Sequence, residues 1–232
     1  MNKLKLIISY FTGFEIGLWV FSVLLIILTF FAFSQESCLT LIASLVGVTS
    51  LIFCAKGNPV GQVLMIVFGS IYGVISYGFS YYGEMITYLG MTVPMAVVAL
   101  VSWLRNPYKG KKSQVEVNRL PKKEISLMLM LTLAVTVLFY FILSYFNTSN
   151  LLPGTVSVTT SFIAVYLTFR RSPYFALAYA FNDIVLIILW ILASMKDISY
   201  VSVVVCFAVF LINDLYGFIS WLKMEKRQRN SA

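Results

Sequence analysis

The sequence predicts an all-α integral membrane protein with eight transmembrane helices: one extra N-terminal helix, then a 3+1+3 parallel repeat of triple-helix bundles. Three observations point there. Of the 232 residues, 60% are apolar and 11% charged, and the mean hydropathy is +0.90; a soluble domain carries about 25% charged residues. The apolar residues fall in runs of about 20, the length needed to cross a hydrocarbon core about 30 Å thick. Counting eight spans from an inside N-terminus places all but Lys196 of the 17 Lys and Arg on the inner side, the sorting that positive-inside topology demands.

The chain opens with Met1–Gly13, which carries Lys3 and Lys5, and a first span over Phe14–Phe33. Ala32-Phe33-Ser34 loosely matches a signal-cleavage site, but the apolar run exceeds the 7–15 residues of a signal-peptide core, so this span is expected to remain. The second span, Cys38–Ala55, stops at Lys56-Gly57-Asn58-Pro59, and the third runs over Pro59–Tyr81 with proline in its first turn. The fourth, Glu84–Leu104, has Pro94 near its centre and should kink there. Arg105–Lys123 is hydrophilic with seven basic residues. Between two spans such a segment is a cytoplasmic loop facing anionic lipid rather than a nucleic-acid site. A connecting span follows at Glu124–Phe146, then the polar turn Asn147–Asn150. The last three spans are Leu151–Phe169, Pro173–Ser194 and Ser199–Leu222, and a mobile basic tail ends the chain. Glu36, Glu84 and Asp197 fall in the outer turns. The organisation is one membrane domain over 1–232: extra helix 1–36, first bundle 37–104, basic loop 105–123, connecting helix 124–150, second bundle 151–222, tail 223–232.

A repeat underlies these spans. FCAKGNPVGQ, closing the second span, aligns with LTFRRSPYFA, closing the sixth, at a shift of 114 residues. Ser102-Trp103-Leu104-Arg105 and Ser220-Trp221-Leu222-Lys223 close the fourth and eighth at a shift of 118. One connecting helix between two triplets lets both enter the membrane in the same sense, and such repeats hold substrate near the midplane between the halves.

Two Asn-Asp pairs lie at that depth. Asn182-Asp183 interrupts the seventh span and Asn213-Asp214 the eighth, each carboxylate roughly 12–15 Å from the inner side. An acidic residue there costs about 2.5–3.5 kcal/mol on insertion scales. Helix-to-helix hydrogen bonding is one explanation; a central substrate site is the other, and the preferred one. Helical spacing puts Asp183 on a stripe with Leu186, Ile187 and Trp190, Asp214 with Phe207, Phe210, Gly217 and Trp221, and Asn213 with Tyr216 and Ser220. In the third span Gly69, Tyr72, Gly73 and Ser76 form a comparable face, with Gly69-xxx-Gly73 reading as close helix packing. The candidate substrate-binding residues are therefore Asn182, Asp183, Trp190, Asn213, Asp214, Tyr216, Tyr72 and Ser76. Tyr81, Tyr82, Trp103 and Trp221 read as interfacial belt residues, and Glu15 as a headgroup-region carboxylate.

Cys38, Cys54 and Cys206 have neither disulfide nor metal-site spacing, and histidine is absent. Ser-His-Asp and Cys-His catalysis fall with it. No nucleophile–base constellation remains, so neither an enzyme nor a cofactor is expected, and a non-transporting scaffold is the reading from a different class.

The segments KGNPVGQVLMIVFGSIYGVISYGFSYYGE, SPYFALAYAFNDIVLIILW and FLINDLYGFISWLK resemble the PnuC-type nicotinamide riboside transporters, which share the parallel-repeat plan of the SWEET sugar transporters. The resemblance covers residues 37–223. It departs at the start of the seventh span: the family often has W-x-x-W there, whereas Tyr174–Asn182 holds no tryptophan before Trp190. The resemblance implies uptake of nicotinamide riboside, a vitamin B3 nucleoside and NAD precursor, by facilitated diffusion with alternating access. Cytoplasmic phosphorylation would trap the product, and the protein would be a homotrimer of the inner (plasma) membrane with both termini cytoplasmic. Thiamine, carried by sister branches, or a sugar-like solute is the alternative cargo, and proton coupling through a buried carboxylate stays open. Physically, a cationic pyridinium suits an aromatic face beside a carboxylate, and its ribose and amide suit Asn and Asp. A nucleotide would want Arg or Lys near the midplane, where the sequence has none.

Overall fold

The computed structural model describes residues 10–33, 38–78, 82–148 and 150–231. Its helices are α1 (Gly13–Phe33), α2 (Cys38–Ala55), α3 (Val60–Gly78), α4 (Tyr82–Thr87), α5 (Val93–Arg105), α6 (Lys122–Tyr145), α7 (Leu151–Phe169), α8 (Phe175–Ser194) and α9 (Val201–Asn230). A π-helical turn, Tyr88–Thr92, joins α4 to α5, and a 3-10 turn, Ile198–Tyr200, leads into α9. With α4 and α5 as one segment, 8 segments are long and apolar enough to cross a membrane, matching the count from hydropathy. Lys3, Lys5, Ser34, Glu36 and Tyr81, used in the sequence reading, lie outside the described residues.

Local chemistry sets the helix ends. Thr12 and Glu15 form a reciprocal capping box: Thr12 N donates to Glu15 Oε2 (2.7 Å) and Glu15 N to Thr12 Oγ1 (3.2 Å). α2 ends where Asn58 N reaches Phe53 O (3.0 Å) and Gly57 N reaches Cys54 O (2.9 Å). Those are the two bonds of a Schellman cap, with Gly57 at φ +66°. α7 ends the same way 114 residues later: Ser172 N to Leu167 O and Arg171 N to Thr168 O, both 3.0 Å, with Arg171 at φ 55°. The repeat thus extends to individual backbone hydrogen bonds. At Pro94, which cannot donate to the turn before it, the expected kink takes the form of the π-helical turn Tyr88–Thr92.

α2, α3 and α4–α5 pack as one bundle and α7, α8 and α9 as another, with α6 against α7 and α1 against α2 and α9. Between the bundles α2 meets α9 and α5 meets α7, contacts that the repeat maps onto each other. Gly69 and Gly73 let α3 approach the π turn closely: an added Cβ would stand 2.9 Å from Val93 and 2.5 Å from Leu89. α1 and α6 lie at the periphery and turn side chains such as Phe31 (76% exposed) and Phe141 (66%) outward, as lipid-facing helices do.

Two features differ from expectation. The segment read as an open loop contains an antiparallel hairpin, β1 (Pro107–Tyr108) and β2 (Lys111–Val115). Lys109 and Gly110, at φ 48° and 76°, make the two-residue turn with both φ positive that matches strand twist. The tail, read as mobile, is helical: α9 continues to Asn230. Its residues are mostly strong helix formers, and Met224 and Gln228, four apart, are buried. Gln228 Oε1 accepts from Val117 N (2.8 Å), its Nε2 donates to Val115 O (3.0 Å), and Arg119 pairs with Glu225.

Candidate functional site

A cavity of about 460 Å³ runs between the bundles, within the 300–1,000 Å³ usual for small-molecule sites. Its mouth lies at Asn147, Asn150, Lys196 and Asp197, exposed turn residues on one side of the molecule, and its base at Asp183 and Asp214. The Asp197 carboxyl accepts from Ser199 N (2.9 Å), which holds it below the usual carboxylate range, so the mouth carries one negative charge beside the positive charge of Lys196.

At the base, Asp183 and Asp214 are 4% and 5% exposed. Their carboxyl groups lie side by side and interact directly. Asp183 Oδ2 is shielded from solvent and has no hydrogen-bond partner among the described residues. Two carboxyl groups in contact cannot both ionise freely, and either a shared proton or a cation beside them relieves the repulsion. Asn182, next to Asp183, has its Oδ1 occupied: Thr160, Ser161 and Ser157 of α7 donate to it at 2.8, 3.0 and 3.3 Å. Its amide NH2 enters none of these bonds. Asn182 thereby ties α8 to α7 and presents a donor to the cavity it lines. Aromatic rings complete the walls. Trp190 lies against Tyr200 (centroids 5.3 Å), and Tyr72 against Tyr88 (4.6 Å).

Of the residues proposed from sequence, Asn182, Asp183, Trp190, Asp214 and Tyr72 line this cavity. Asn213, Tyr216 and Ser76 do not. Asn213 Nδ2 donates to Ser22 Oγ of α1 (3.0 Å) and to Val209 O (2.9 Å). Tyr216 Oη donates to Glu15 Oε1 (2.8 Å), and Ser76 is buried within the bundle, off the cavity wall. The physical reason is helical phase. Asn213 and Asp214 are about 100° apart around α9, so when one faces the cavity the other faces α1. Glu15, read as a headgroup-region carboxylate, is buried within the protein at the start of α1, where Lys56 Nζ meets both its oxygens at 2.9 and 3.1 Å. The sequence reading missed Glu84, Tyr88 and Tyr179, and the α7 hydroxyls. Their signal was available as polar stripes, Glu84-Thr87-Tyr88 and Ser157-Thr160-Ser161, at helical spacing.

The opposite end of the cavity is sealed. Trp103 Nε1 donates to Thr168 O (2.9 Å) and Trp221 Nε1 to Cys54 O (2.8 Å), with the two indoles 5.4 Å apart. Each bond runs from the last helix of one bundle to the capped end of the first helix of the other. Both tryptophans are 0% exposed, so the belt assignment for them is corrected: they join the bundles. Tyr82, also read as belt, lies half-exposed at the cavity wall. Beyond the tryptophans the hairpin segment straps both caps, Val115 N donating to Gly57 O (2.9 Å) and Asn118 N to Arg171 O (3.0 Å). The structure is therefore open on one side and closed on the other.

Comparison with known proteins accords with this architecture. A family model described as "Nicotinamide mononucleotide transporter" matches residues 37–223. The nicotinamide riboside transporter PnuC of Neisseria mucosa is 27% identical over 221 residues, covering 93% of this chain and 83% of that one. The protein of the same description from Haemophilus influenzae is 24% identical over 224 residues, covering 95% and 94%. A crystal structure of the vitamin B3 transporter PnuC superposes with a TM-score of 0.80 at 24% identity, covering 94% of each chain.

Proposed function

The chain belongs to the nicotinamide mononucleotide transporter family, and on that footing we propose that it carries nicotinamide riboside, the nucleoside, across the membrane. The observation that carries the reading is the acidic lining of the cavity. Asp183 and Asp214 stand at its base and Glu84 on its wall, while Lys196, at the exposed mouth, is the basic residue among its lining. A phosphate would meet carboxylates there and no buried cation. A pyridinium meets carboxylates and aromatic faces, both of which favour it. The relatives' printed cargo, nicotinamide riboside, has that charge.

Transport proceeds by alternating access and facilitated diffusion. The open cavity is one end state, and the other requires the crossed tryptophan bonds to part. Phosphorylation in the cytoplasm then removes the transported nucleoside and makes uptake one-way. The charge sorting supports cytoplasmic termini and hairpin, which directs the open mouth outward. A homotrimer is the assembly implied by resemblance, and light scattering on detergent-solubilised protein checks it.

The deciding experiment is uptake of radiolabelled nicotinamide riboside, nicotinamide mononucleotide, thiamine and a sugar by purified protein in liposomes. Saturable entry of the riboside and exclusion of the mononucleotide are expected. Preference for thiamine would reassign the cargo within the same fold.

A further inference from the structure

Glu84 stands on the cavity wall, on α4, apart from the acidic pair contributed by α8 and α9. Its Oε2 is shielded from solvent and lacks a hydrogen-bond partner among the described residues, the condition also found at Asp183 Oδ2. Tyr72 is the hydrogen-bonding neighbour of this carboxyl. No ion pair among the described residues includes Glu84. Tyr88, four residues on from Glu84, lines the same cavity as Glu84 and Asp183. Its ring lies 4.6 Å from that of Tyr72. Two buried carboxyl oxygens without donors, in one cavity lined by tyrosine rings, stay ionised at low cost only when a positive charge visits them.

We infer that Glu84, Tyr72 and Tyr88 form a second, outer subsite for an organic cation, which substrate occupies before it reaches Asp183 and Asp214. This deepens the cargo assignment above and rests on it. A cationic ring entering from the mouth exchanges water for Glu84 and the tyrosine faces, then exchanges those for the inner carboxyl pair. At no stage does it stand desolvated without a counter-charge. The consequence is kinetic: a carboxylate on the entry path raises the rate of association more than the final affinity.

The test measures association and dissociation of labelled nicotinamide riboside on purified protein, with its uncharged reduced form, dihydronicotinamide riboside, as control. Glu84→Gln, which keeps a partner for Tyr72, is expected to slow association of the cation about tenfold and its dissociation by a similar factor, so that the affinity changes by less than about twofold. Association of the neutral form should not change, and thermal unfolding of the unliganded protein should match the unmodified chain. Unchanged association of the cation, or equal slowing of both nucleosides, overturns the subsite and leaves Glu84 a partner of Tyr72 only. Should Glu84→Gln not fold, Glu84→Asp provides the comparison, its carboxylate withdrawn by one methylene and the slowing smaller but still confined to the cation. Failure of the unmodified protein to bind either nucleoside would refute the cargo assignment instead. The subsite is then judged with N-methylpyridinium, whose binding must weaken in Glu84→Gln and recover in Glu84→Asp; equal binding by all three proteins overturns it whatever the cargo.

Discussion

Asp183→Asn and Asp214→Asn remove charge while keeping volume and hydrogen-bonding capacity, so they separate the two roles a buried carboxyl can have. If the acid groups only join helices, an amide serves nearly as well, because intramembrane hydrogen bonds average about 0.6 kcal/mol. If a carboxylate meets the cationic ring or the ribose diol, the loss is that of a charged hydrogen bond, roughly 1.5–3 kcal/mol, or about ten- to hundredfold in affinity. Calorimetry on the purified variants should show such a loss for at least one, Asp214 first, with yield and melting temperature of the unliganded protein undiminished. Near-native affinity in both would return the pair to a structural role. Asn213→Ala should do the opposite: it abandons Ser22 of α1 and should lower the melting temperature while leaving affinity intact. Residue type and depth were legible from spacing alone, and they picked out Asp183, Asp214, Asn182 and Trp190. Helical phase was not. Which of two adjacent polar residues faces the cavity depends on where α1 docks, and nothing in the spacing of Asn213 and Tyr216 records Ser22 or Glu15.

Among the helices, the decisive contacts are the crossed bonds from Trp103 and Trp221 to the capped ends of α7 and α2. Ser-Trp-Leu-basic at two span ends revealed the repeat, yet read as membrane belt. An indole near a helix end beside a basic residue has the same local sequence whether it meets headgroups or a carbonyl of the other bundle. The helical tail was misread for a related reason: its charges suggested solvent, while Met224 and Gln228 found the hairpin. Trp221→Phe keeps the ring and deletes the N–H. It should cost about 1 kcal/mol of the sealed state, raising the open population roughly fivefold. Cys54 reports this directly, since its own carbonyl is the acceptor and its thiol is buried. In a chain with Cys38 and Cys206 changed to serine, a small thiol reagent should modify Cys54 faster in Trp221→Phe by about that factor. Trp103→Phe should match it, because the repeat makes the two bonds equivalent. An effect confined to Trp221→Phe would mean that the bonds open independently and that the seal does not act as a unit.

For the molecule as a whole, orientation decides what the open cavity means. Asn150 lies at the mouth and Lys111 on the hairpin beyond the tryptophan seal. With Cys38 replaced, an impermeant thiol reagent on intact cells should label Asn150→Cys and spare Lys111→Cys; the reverse pattern would turn the mouth toward the cytoplasm. Orientation also fixes the energetics. A singly charged substrate moving alone gains about 2.3 kcal/mol per 100 mV of membrane potential, about fiftyfold at equilibrium. Liposomes with no gradient should therefore equilibrate nicotinamide riboside and never concentrate it. An inside-negative diffusion potential should concentrate it by about that factor, and a pH gradient alone should not. The alternative has a definite physical form. If Asp183 or Asp214 released a proton each time the cation arrived and rebound one when it left, cation and proton would exchange one for one. Net charge movement would vanish, the potential would have no effect, and a pH gradient would drive uphill accumulation. The carboxyl pair at the cavity base is chemically able to work either way. The response to potential against pH therefore distinguishes a counter-charge that stays ionised from one that trades its proton for the substrate.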